Sequence, residues 1–251
     1  IDQSTINIFN EKLGGLGALI GPHFHHRKEI PHIPDETAFP HIARVKASGS
    51  DEPFSHGIGR YVAWNWNASD LSIDANISGM DTHAGVTLAA LEGFDFKMSF
   101  KAHLLNDGIE INMHVDSEKM PSIAGLHYYY ALDNGEGVVK MKVQDTYNDM
   151  GVWREIPDKW RNTEKEELSF NLKEESDYGF KPNRSDFSGD AILETGSRQL
   201  HIHYETDSEE NAFQLYSPDK ATFVCIEPVT ASNPRDAKQL QNHLKVRIQL
   251  K

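Results

Sequence analysis

The chain has 251 residues, with 25 Lys and Arg against 38 Asp and Glu, a formal charge of −13 and 38% hydrophobic residues. That charge argues against a nucleic-acid backbone or an anionic membrane surface as partner, and no apolar run approaches the length of a membrane span. The length suits one domain over residues 1–251 with a full hydrophobic core. The single cysteine, Cys225, cannot form an internal disulfide and lies in an apolar stretch, where packing is its plainest role. This composition leans towards a reducing, cytoplasmic compartment, although a periplasmic protein without disulfides would share it. The sequence starts at Ile1 rather than Met, and the residues present carry no signal-peptide pattern.

The segment from Pro22 to Pro40 is rich in Pro and His and is expected to form an ordered loop rather than a strand. Within it, Gly17-x5-His23-x-His25-x3-Glu29 matches the first half of a cupin-type metal motif. Pro31 and Pro34 break the strand that such a motif needs, and no second half follows, so no metal site is expected. Further on, Phe94, Phe96, Met98, Phe100 and Ala102 alternate with Lys97, Lys101 and other polar residues. Leu104-Leu-Asn-Asp-Gly108 then turns the chain, and Ile109, Ile111, Met113 and Val115 return, which predicts a β-hairpin.

The same period of two recurs at Val139, Met141 and Val143, at Leu168, Phe170 and Leu172, and at Leu200, Ile202 and Tyr204. His201 and His203 share the opposite face of that last segment and should point to solvent. A final strand carries Leu244, Val246, Ile248 and Leu250. Short helices are expected only over Glu155 to Arg161 and Arg235 to Gln241. Many short strands separated by Asn, Asp and Gly turns indicate an all-β, antiparallel sandwich or barrel with few short helices.

Three segments carry the candidate chemistry. In Thr222-Phe-Val-Cys-Ile-Glu-Pro-Val-Thr-Ala231, an apolar strand delivers Glu227 and should end its pairing at Pro228. A carboxylate so placed is partly desolvated and rigidly aimed, as a general base must be, although a strand-end ion pair is the plainer reading. His56 lies in Phe54-Ser-His-Gly-Ile-Gly-Arg60, shortly before Trp64 and Trp66, and His127 lies in Gly125-Leu-His-Tyr-Tyr-Tyr130. Each histidine alone reads as a core or loop residue. Together with Glu227 they make a workable proton-transfer set, and Trp64 and Tyr128 are aromatic candidates for stacking on a sugar.

In order and separation these segments resemble the aldose 1-epimerase (galactose mutarotase-like) superfamily. His56-Gly57 is similar to a Leu-His-Gly motif, and Gly125-Leu-His-Tyr128 to Gly-x-His-Pro-Tyr-Phe, with Tyr128 in place of proline. Gln214-Leu-Tyr-Ser-Pro218 followed by Val224-Cys-Ile-Glu-Pro-Val-Thr230 and Asn233 is the nearest match. The likeness spans roughly residues 40 to 250 and implies the galactose mutarotase-like β-sandwich. It also implies Glu227 as base, His127 as acid, His56 near the anomeric centre and Asp186 on sugar hydroxyls.

The implied reaction is interconversion of the α and β anomers of an aldose, with Glu227 ionised and His127 protonated in the resting site, and no metal or organic cofactor is implied. His56-Gly-Ile-Gly-Arg60 resembles the hexose-6-phosphate epimerase branch, in which an arginine here grips phosphate. The expected ligand is therefore a monosaccharide or a sugar phosphate. A carbohydrate-binding protein without activity and a cupin-like metalloprotein are the alternatives, and the oligomeric state is left open.

Overall fold

The computed structural model describes residues 19–24, 39, 41–49, 53–233 and 237–251. Two antiparallel sheets dominate it. The larger has ten strands, in spatial order Arg161–Asn162, Glu167–Asn171, Val138–Met141, Ser188–Glu194, Gln199–Thr206, Gln241–Leu250, Gly108–Asp116, Lys97–Leu105, Ser72–Ser78 and Asn65–Ala68. The smaller runs Leu19–His23, Ile123–Leu126, Phe223–Val229, Ala212–Ser217, Ser176–Pro182, Val143–Asp149 and Val152–Glu155, with Tyr129–Ala131 also paired to Phe223–Val229.

The period-two segments become the inner face of the larger sheet. Leu200, Ile202 and Tyr204 are fully buried, as are Ile111, Met113, Val115, Leu244 and Ile248. They join one core with Phe180, Phe213, Leu215, Val224 and Ile226 of the smaller sheet. Each fully buried aliphatic side chain contributes about 1.5–3 kcal/mol of transfer free energy. The expected hairpin forms, with Leu105 opposite Gly108 across its turn.

Several expectations need correction. Val139 and Met141 lie in the larger sheet but Val143 starts a strand of the smaller one, so the chain changes layers at Lys142 and the alternation does not mark a single strand. The segment Glu155–Arg161 yields one 3-10 turn, Asp158–Trp160, between two strands. In the other expected helix, Arg235 and Asp236 lie outside the described residues, while Ala237 to Leu240 are irregular and Gln241 opens a strand. Among the described residues the α-helices are Ile42–Ser48 and Leu88–Glu92, both too short to show a helical period. Pro22 and His23 belong to a strand rather than a loop, and Pro31, Pro34 and the rest of 25–38 lie outside the described residues.

His201 and His203 do turn away from the core, but they are only part-exposed and share the carboxylate of Asp190, at 3.3 Å from His201 Nε2 and 2.8 Å from His203 Nδ1. Among the described residues, no helix is long and apolar enough to cross a membrane.

Candidate active site

Glu227 is delivered as the sequence suggests, but its strand runs on through Pro228 to Val229. On one side this strand pairs continuously with Ala212–Ser217. On the other its ladder is interrupted between Cys225, opposite Tyr129, and Val229, opposite Gly125. That gap accommodates a residue without an N–H. The register is the same on both sides of the gap, which sets His127 directly across from Glu227. Opposed residues of an antiparallel pair project from one face, so the two side chains meet: His127 Nε2 lies 3.2 Å from Glu227 Oε1. Both are buried.

His56 arrives from a loop. It adopts a left-handed φ of 64°, uncommon for a residue with a side chain, and Gly57 follows at φ 92°. A Cβ on Gly57 would come within 2.4 Å of the Pro22 carbonyl oxygen, so glycine allows this turn to press against the Leu19–His23 strand. Gly21 N donates to His56 O at 2.8 Å and locks the two together. Behind the turn, the buried carboxylate of Glu92 accepts from Ile58 N at 2.8 Å. The rings of His56 and His127 then lie 5.2 Å apart, with His23 6.1 Å from His56 and Tyr129 stacked on His127 at 4.9 Å.

These groups open on a cavity of about 880 Å³, lined among others by His23, His56, His127, Asn148, Asp177, Gln214, Tyr216, Glu227 and Asn233. Burial pushes the Glu227 carboxyl up to about 8, with Arg60 opposing the shift and Asp177 reinforcing it. Burial, then the charge of Arg60, holds His127 down at about 3. Burial, then Arg60, His127 and His23, hold His56 at about 2. Burial thus favours a form with the proton on Glu227 beside a neutral His127 over the expected ionised glutamate and protonated histidine. The two forms hold the same number of protons and differ only in which side of the 3.2 Å contact keeps one. Desolvation favours the neutral form.

The other expected site residues divide. Arg60 sits beside the pair, its Nε donating to Leu19 O at 2.6 Å and its charge acting on Glu227, His127 and His56, but it is not a lining residue. Tyr128 points into the core against Tyr130, because side chains alternate along a strand and His127 already faces the cavity. The aromatic next to the site is Tyr129. Trp64 folds back so that its Nε1 donates to Gly59 O at 2.8 Å, away from the cavity lining. Asp186 lies on the larger sheet's side, paired with Arg184 at 2.8 Å and accepting from Ser188 Oγ at 2.7 Å. Among the described residues, the carboxylate that lines the cavity beside Glu227 is Asp177, raised by burial and then by Asp149. Its position, two residues before Gly179 on a strand without clear alternation, gave no signal in the sequence.

Cys225 shares the cavity-side face with Glu227, two residues on, and burial pushes its thiol well up. Donor atoms of His127, Cys225 and Glu227 lie within 4.8 Å of one another, a set with zinc-type ligands. The Arg60 charge that acts on all three works against a cation there. Of the cupin-like residues, His23 lines the cavity, while His25 and Glu29 lie outside the described residues.

No protein-family model and no curated protein matches the chain. Solved structures do. A protein assigned as an aldose 1-epimerase from Escherichia coli K12 aligns at 17% identity and TM-score 0.57, covering 78% of this chain and 71% of that one. A Synechocystis sp. PCC 6803 protein aligns at 15% identity and TM-score 0.61, covering 93% and 77%. A galactose mutarotase-like protein from Lactobacillus casei aligns at 15% identity and TM-score 0.58, covering 78% and 76%. The chain has the galactose mutarotase-like fold.

Proposed function

We propose that this protein is an aldose 1-epimerase that interconverts α and β anomers by acid–base opening and closing of the sugar ring. The observation that carries the reading is the buried Glu227–His127 contact at 3.2 Å, facing a cavity that Gln214, Asn148 and Asp177 also line. When a sugar binds, the Glu227 proton passes to His127 across the 3.2 Å contact; the carboxylate so formed takes the proton of the C1 hydroxyl as the imidazolium protonates the ring oxygen. The C1–O5 bond breaks, the resulting aldehyde rotates about C1–C2, and closure on the other face returns both protons. The pair begins and ends with the same proton count, so no external acid or base is consumed.

His56, held neutral, is placed to hydrogen-bond the ring near C1, and Asp177 and Gln214 can accept and donate to the remaining hydroxyls. Arg60 favours the carboxylate of Glu227 as the proton moves. The test is NMR exchange between α and β anomers across a panel of aldoses and hexose 6-phosphates. Exchange above the spontaneous rate for at least one sugar is expected, and none for any of them would sink the reading.

A further inference from the structure

The cavity is longer than one sugar ring needs. From His127 the ladder continues in register to Glu227, Gln214, Gly179, Asn148 and Trp153, each directly opposite the next from Glu227 onward. All six positions lie on the same face of the smaller sheet. Four interstrand steps of about 4.8 Å place Trp153 about 19 Å from Glu227 along this row, whereas a pyranose ring is about as wide as one step. The cavity's 880 Å³ lies near the top of the roughly 300–1,000 Å³ range of pockets that bury drug-sized ligands, well beyond what a hexose fills.

The far end is built as a platform. Met150 and Gly151, both at positive φ, form a two-residue hairpin turn whose tip is tied by Gly151 N donating to Asn148 Oδ1 at 2.7 Å. Asn148, Met150 and Gly151 line the cavity. Met150, on the cavity lining, is 82% exposed, and Trp153, one ladder step beyond Asn148, is 42% exposed, both large apolar side chains open to solvent. Lys181 Nζ lies over the Trp153 ring at 5.6 Å and reaches Glu210 at 3.2 Å, which holds the indole in place. Between the two ends the floor is kept low: a Cβ on Gly179 would press at 3.0 Å on the Gln214 amide and at 3.3 Å on Asn148. The row thus offers hydrogen-bonding amides along its middle and an apolar stacking surface at its end.

We infer that the site takes the reducing end of an oligosaccharide, with its terminal ring at Glu227 and His127 and its following units laid over Gln214 and Asn148 towards Trp153. This rests on the epimerase reading for the chemistry at the reducing end. The experiment separates the two. Calorimetric titration with mono-, di- and trisaccharides of gluco-, galacto-, manno- and xylo-series is run beside NMR anomer exchange on the same ligands.

In at least one series the Kd should fall about tenfold or more from one unit to three. Trp153→Ala should erase that gain while leaving monosaccharide binding and exchange unchanged, and Trp153→Phe should restore most of it. Equal affinity for one and three units in every series overturns the inference, as does a Trp153→Ala variant that weakens both alike. Length-dependent binding without anomer exchange would sink the epimerase reading and leave this one standing. Exchange without length dependence would do the reverse.

Discussion

The two sheets handle burial differently. In the larger sheet, Gln241–Leu250 alternates buried and exposed residues almost throughout, one face in the core and one in water. In the smaller sheet, Phe223–Val229 is buried at all but its first residue, with a core on one face and the cavity on the other. The first arrangement supplies stability and carries little chemistry. The second places Glu227, His127 and Cys225 where water is scarce, which is what shifts their ionisation. The sheet with the poorer sequence signal is the one that holds the site, because a strand buried on both faces loses its alternation.

If this division is right, activity and stability should come apart by sheet. The largest expected effect is on turnover: Glu227→Gln should lower kcat by about 10²–10⁴ without loss of the fold, and His127→Asn by a similar factor. Both are checked by anomer exchange alongside far-UV circular dichroism. In the larger sheet Ile202→Ala should cost about 2–5 kcal/mol in denaturant melts yet leave the proposed anomer exchange of the folded protein unchanged. A kcat loss there comparable to that of Glu227→Gln would break the comparison.

The pH dependence is more subtle. The active pair carries one proton, so exchange should hold from pH 5 to about 7.5 and fall above about 8, as Glu227 loses its proton. A rate that climbs through pH 9 would contradict this assignment. The stability sign follows from the same group. A carboxyl raised from its ordinary value near 4.5 to about 8 favours the folded state fully below pH 4.5, and that contribution is lost as pH rises through 8. Glu227→Gln should therefore gain thermal stability relative to wild type between pH 5 and pH 9, each kcal/mol reading as about 2–4 °C at this size. The smallest effect belongs to the outer face of the larger sheet. Asp74→Asn, which removes an exposed ion pair to Lys101 at 2.8 Å, should shift stability by no more than about 1 kcal/mol.

How much could be read in advance follows the same line. The hairpin of Lys97–Leu105 and Gly108–Asp116 and the inward set of Leu200, Ile202 and Tyr204 were legible because half-buried strands write their orientation into a period of two. That rule also held the answer at His127: once it faces the cavity, Tyr128 must face the core and Tyr129 the site. Asp186 rested on the family resemblance alone, and only the tertiary structure shows that it lies in the loop leading into the larger sheet while Asp177 reaches the cavity.

By itself the sequence determined an all-β chain, the strands of its larger sheet, and three segments bearing Glu227, His127 and His56. These are local properties, written in alternation, turn residues and short motifs. Only the tertiary structure decided that residues 100 apart would stand opposite each other at 3.2 Å, that burial would raise the Glu227 carboxyl, and that one register would run on to Trp153. Register and desolvation arise from pairing between distant segments, and neither is a property of any one of them.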